Sequence, residues 1–122
     1  MPTVNIDFNA IFSEIENQVK NLALATASKY KDQAIDVGQR IVADMKDDLI
    51  RWTQMLANEQ LSTDEFELLV KSYEVEGAVA GLELAGLAHV RAYDFGMSVL
   101  NVIMDVIMKV LNSLGSGLLQ PK

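Results

Sequence analysis

The chain has 122 residues, half of them hydrophobic and 22% charged, with a net charge of −7 and no cysteine. That composition excludes a disordered chain, a binder of nucleic-acid phosphates, electrostatic docking on anionic lipid, disulfides and thiolate chemistry. The length is that of one domain, residues 1–122.

The start of the chain has neither a basic region nor an apolar core of the signal-peptide kind. Cytoplasmic residence is therefore the default expectation, with secretion by a leaderless route as the other. Residues 1–6 read as an N-terminal arm. Pro2 and Pro121 are the only prolines, so nothing in between is barred from a long helix.

Asp7 has the chemistry of a helix cap, with Ile6 and Ile11 placed as a hydrophobic staple. From Phe8 an apolar series runs through Phe12, Ile15, Val19, Ala23, Ala27, Tyr30, Ala34, Val37, Ile41, Met45, Leu49, Trp52 and Leu56. Every step is three or four residues, about 3.7 on average, which is the period of a helix and not of a strand. The spacing predicts one helix over residues 7–57. Glu14, Lys20, Asp36, Arg40 and Asp47 lie on the remaining circumference and read as a solvated face.

Ser62-Thr63-Asp64-Glu65 is a capping box, with Ser62 as cap and Glu65 three residues on. It predicts a second helix from residue 63. No stop follows before Gly115-Ser116-Gly117, so this helix is expected over 63–114, with 115–122 as a flexible tail. Two helices of similar length joined by a short bend form an antiparallel hairpin, each arm on the order of 70–80 Å long. Gly77, Gly81 and Gly86 fall in a run of small residues, which reads as close helix packing against the first arm. The same glycines weaken a helix by ~0.8–1.0 kcal/mol each. If both arms break, the chain folds back into a compact four-helix bundle.

The segment Met97–Leu114 is mostly Met, Val, Ile and Leu, yet Asp94, Ser98, Asn101, Asp105, Lys109 and Asn112 recur in steps of three and four. They form one polar stripe on an otherwise apolar helix. As a lone membrane anchor the segment fails. Its nine Leu, Ile and Val residues contribute roughly −4 kcal/mol, while Asp105 and Lys109 each cost about 2.5–3.5 kcal/mol. In a hairpin, one partner arm leaves most of the apolar face bare, and such a face must be buried. Val99, Ile103, Val106, Ile107, Val110 and Leu114 are therefore expected to form an oligomer interface. The stripe then faces solvent, a lumen or a pore.

Nothing in the chain resembles a catalytic or metal-binding pattern. His89 is the only histidine, and a metal site needs three or four convergent ligands. The carboxylate pairs Glu14/Glu16 and Asp47/Asp48 diverge on a helix and do not make a dyad. No phosphate-binding glycine loop or nucleophile motif is present. The expectation is an all-α, non-enzymatic chain without cofactor, whose hairpins assemble into a helical bundle or larger structure. A component of a bacterial or phage-like machine is one such setting. The alternative is a membrane-active, pore-forming hairpin of the toxin or holin type, with lipid as its partner. A third reading is an acidic, chaperone-like partner of another helical protein.

Overall fold

A computed structural model describes residues 6–26 and 28–114, apart from the side chains of Thr26, Ser28 and Leu114. Five α-helices account for almost all of it: α1 Phe8–Thr26, α2 Lys31–Ala57, α3 Thr63–Lys71, α4 Val75–Leu84 and α5 His89–Leu114. A 3-10 turn, Ser28–Tyr30, joins α1 to α2. Among the described residues there is no strand. The all-helical class read from the periodicity is the one observed. The arm 1–6, apart from Ile6, and the tail 115–122 lie outside the described residues.

The straight hairpin over 7–57 and 63–114 is not what forms. Both arms break, between the end of α1 and the start of α2 in the first and at 72–74 and 85–88 in the second. Val19 of α1 packs on Gly38 of α2, and Lys46 of α2 lies over the Phe12 ring, 5.6 Å from its centre. Positions equidistant from residue 29 thus face each other, so α1 folds back antiparallel on α2. Gly96 of α5 sits against Val75 and Val79 of α4, which places α5 antiparallel to α4. α3 and α4 follow one another along the same side of the bundle, both against α2 and α5. α1 touches α2 and α5, which closes the ring. The result is a four-helix bundle whose third member is α3 and α4 in succession.

The physical reason lies in coverage. In an open hairpin each apolar stripe has one partner helix, whereas in the folded-back bundle it has two or three. Ile11, Ile15, Val19 and Ala23 from α1 meet Ile41, Met45 and Leu49 from α2 in a single core. Phe66, Val70, Val79 and Leu82 add the third side, and Phe95, Val99, Leu100, Ile103, Ile107 and Leu111 the fourth. Thr53 is the one buried polar side chain among the described residues, and its hydroxyl has no hydrogen-bond partner. Such a group costs about 1–3 kcal/mol, which packing must offset.

The helix ends follow local chemistry. Asp7 Oδ1 accepts the Ala10 N–H at 3.1 Å and caps α1. The capping box at α3 is complete: Ser62 Oγ accepts the Glu65 N–H at 3.1 Å, and Glu65 Oε1 accepts the Ser62 N–H at 2.9 Å. The Ser62 backbone N–H, and after it the Ser62 hydroxyl, hold the Glu65 carboxyl below its ordinary range.

Two helices end in the same reverse turn. At the end of α2 the Gln60 N–H reaches Met55 O at 2.8 Å and the Glu59 N–H reaches Leu56 O at 3.2 Å. At the end of α4 the Leu87 N–H reaches Leu82 O and the Gly86 N–H reaches Glu83 O, both at 3.0 Å. This is the Schellman arrangement, whose pivot residue needs a left-handed backbone. Gly86 supplies it at φ 115°, whereas Glu59 is held at φ 62°. Leu82 and Leu87, the hydrophobic pair that accompanies the motif, are both buried.

The glycine assignments therefore change. Gly77 and Gly81 do not pack closely: a Cβ at either would meet nothing within 4 Å. Gly86 serves a turn, with the Tyr30 hydroxyl 3.3 Å from where its Cβ would stand. The glycines at which helices do approach closely are Gly38 and Gly96.

Candidate functional site

α5 was expected to offer an uncovered face to other copies. Instead Val99, Ile103, Val106 and Ile107 are buried in the chain's own core, and Val110 is half-buried against it. The expectation assumed one partner helix for α5, whereas four of the chain's other helices reach it. Leu114's side chain lies outside the described residues. The polar stripe does turn outward: Asp94, Asn101, Asp105, Lys109 and Asn112 are exposed and Ser98 is half-buried.

Beside that stripe lies a strip the periodicity analysis passed over. Tyr93, Met97, Met104 and Met108 follow in steps of four, seven and four residues, which keeps them on one side of α5. They border the seam where α5 meets α3 and α4. Two clefts open along it. One, of about 300 Å³, is lined by Thr63, Asp64, Phe66, Glu67, Met104, Asp105 and Met108. The other, of about 350 Å³, is lined by residues 71–76 together with Tyr93 and Met97. Five carboxylates, Asp64, Glu67, Glu74, Glu76 and Asp105, stand around them with one ammonium, Lys71. That ammonium is 2.9 Å from Glu67. The methionine side is thus apolar, the walls of the cleft at residues 71–76 are mixed, and the rim is acidic. The sequence carried this signal in the spacing of the methionines, but only the fold shows which helices wall them in.

Tyr73 fixes the position of the α3–α4 break. Its hydroxyl donates to Asp44 Oδ2 on α2 at 2.8 Å. Burial, then the bond to Asp44 and its negative charge, push the Tyr73 phenol from 10.0 up to about 12. The folded value lies above the ordinary one, so this contribution to stability is complete below pH 10. It is lost as pH rises from there through about 12. Alkaline titration of tyrosinate absorbance should show one late-ionising tyrosine, and Tyr73→Phe should remove that phase. A late phase that survives the substitution assigns it to another tyrosine.

A second surface lies at the end of the bundle formed by the α1–α2 and α4–α5 turns. Leu24, Leu84, Val90 and Tyr93 are exposed there, Leu84 at 90% and Val90 at 66%. Leu84 continues the outward face of α4, formed by Gly77 and Gly81, both exposed, and by half-buried Ala80. Spacings of three and four residues place all four on one stripe. His89 bridges the turn to Glu83 through Nδ1 and tilts over the Tyr93 ring, 6.4 Å between centres.

No protein-family model, curated protein or solved structure matches the chain. Among the described residues no group of His, Cys, Asp and Glu is placed to hold a metal ion. Nor is any helix there long and apolar enough to cross a membrane.

Proposed function

We propose that this chain is a non-enzymatic structural protein that works by helix-to-helix association with further copies of itself. The contact surface is the outward face of α4 and the adjoining apolar end of the bundle. The observation that carries this reading is Leu84, 90% exposed at the end of a face made of Gly77, Ala80 and Gly81. An exposed apolar surface of this kind marks an interaction site more often than a stray leucine does. The small residues place no side chain in the way of an approaching helix. A two-fold axis near Ala80 would set Gly77 of each copy against Leu84 of the other, the self-complementary arrangement a symmetric dimer requires. Burying Leu84 alone contributes about 1.5–3 kcal/mol.

The pore-forming alternative has less support. Asp105 and Lys109 face outward from α5, and the segment lacks the apolar length of a membrane span.

The test is the mass in solution by light scattering across a concentration series. Wild type should associate, and Leu84→Glu should be monomeric with an unchanged melt. Gly81→Ala is the sharper variant. It fills open space within a helix, so it should raise fold stability by ~0.8–1.0 kcal/mol, while its added methyl weakens the association. A wild-type chain that stays monomeric at every concentration overturns the reading.

A further inference from the structure

We infer that the seam between α5 and the α3–α4 pair is a docking groove for a basic amphipathic helix of another protein. Three features define the occupant. The floor comes first: Met97, Met104 and Met108 are each half-buried on the side of α5 that carries Tyr93, so their side chains offer apolar surface at the protein boundary. Methionine is unbranched and polarisable and adapts to apolar side chains of varied shape, which is why it recurs at surfaces that accept helices.

The rim comes second. Five carboxylates surround the two clefts, and their one ammonium is already paired with Glu67. An occupant must therefore bring cations to the edge and apolar groups to the floor. A second copy of this chain fits that requirement poorly, because it carries 17 acidic residues against 10 basic ones. The requirement excludes anionic lipid and nucleic acid for the same electrostatic reason.

Geometry comes third. The strip from Tyr93 to Met108 runs about four helical turns, on the order of 22 Å at ~1.5 Å per residue. The two clefts are centred about eleven residues apart along α5, or roughly three turns. A helix lying in the seam would therefore place two bulky apolar residues about three turns apart, one in each cleft. Cleft volumes of about 300 and 350 Å³ exceed what one large side chain occupies, so neither needs to open to receive it. The groove meets the self-association surface only at Tyr93, and its methionines and carboxylates are not part of that surface.

The experiment uses the full chain and a fluorescently labelled peptide of about 18 residues. It is built from Lys and Leu with the leucines on one helical face, and binding is read by anisotropy. A scrambled peptide of the same composition and a Glu/Leu amphipathic helix serve as controls. Wild type should bind the Lys/Leu helix at least about tenfold more tightly than the scrambled one, and the Glu/Leu helix should not bind. Met97→Gln, Met104→Gln and Met108→Gln in one chain should lose about tenfold or more. Glu76→Lys with Asp105→Lys, one change at each cleft, should do the same. Asp36→Lys with Asp47→Lys changes the net charge equally on exposed positions of α2 and should lose much less. Each variant is first shown to melt as wild type does. Equal binding of the scrambled peptide, or an equal loss from the α2 changes, would reduce the effect to general attraction by an acidic protein and overturn the groove. So would the absence of binding by wild type.

Discussion

Ile103→Glu leaves the chain unfolded, and Ile103→Ala lowers its stability by about 2–5 kcal/mol. Ile103 is fully buried midway along α5. Its neighbours on the same inward side, Val99, Val106 and Ile107, are buried with it. Truncation to alanine removes apolar contact and leaves a cavity that a four-sided core cannot collapse around. A carboxylate there has no buried cation to meet, because among the described residues the buried ones are hydrophobic or glycine apart from Thr53. An unpaired buried ion costs several kcal/mol, comparable with the 5–15 kcal/mol that holds a whole domain together. Circular dichroism and a chemical denaturation curve decide the matter. A folded Ile103→Glu chain that had merely changed its mass in solution would show that Ile103 faces another copy instead of this core.

Gly96→Val destabilises the chain by about 1–3 kcal/mol or more, whereas Gly81→Ala stabilises it. Both glycines lie inside helices, so propensity alone would favour replacing either one. Space separates them. A Cβ at Gly96 would come within 2.9 Å of Val75 Cβ and of Val79 Cγ1, both on α4. Val75 Cβ is fixed to its backbone and cannot rotate away, so α4 and α5 must move apart along their whole contact. At Gly81 a Cβ meets nothing. Denaturation midpoints for the two variants, measured side by side, test the assignment. A Gly96→Val chain at least as stable as wild type would mean that α4 and α5 do not cross at Gly96.

How much of this was legible follows from what each residue signals locally. Asp7 and the Ser62/Glu65 box act within one turn of their helices, so their chemistry could be read directly and the caps form where it places them. The polar stripe from Asp94 to Asn112 was equally readable, since a helical period and a charge pattern suffice to give a face. The break at 85–88 falls in the stretch from Gly77 to Gly96 where the glycines mark a weak helix, but the breaks between α1 and α2 and at 72–74 carry no such mark. The apolar series runs straight through Ala23, Ala27, Tyr30 and Ala34 without proline or glycine, because a bundle keeps the same face inward on both sides of a turn. Periodicity is blind to a reversal that preserves it. The glycines misled for a related reason. Gly77, Gly81 and Gly86 look alike in sequence, and only the neighbours that tertiary structure brings to Gly38 and Gly96 show where backbones meet. The apolar excess on α5 was correctly read as surface that must be covered. What covers it is this chain's own helices, a saving that two additional turns make available.

The order of the helices around the bundle also bears on how quickly the chain reaches it. α1 with α2, and α4 with α5, are hairpins between sequence neighbours, and α3 lies against the helix that precedes it. Most of the core can therefore assemble by closing short loops, whose entropic cost is small. The docking of α5 on α1 and on α2 joins the distant parts of the chain. Topologies of this kind fold in microseconds to milliseconds. The longest loop closures thus bring α1 and α2 onto α5, and until they form the apolar side of α5 is open to other molecules.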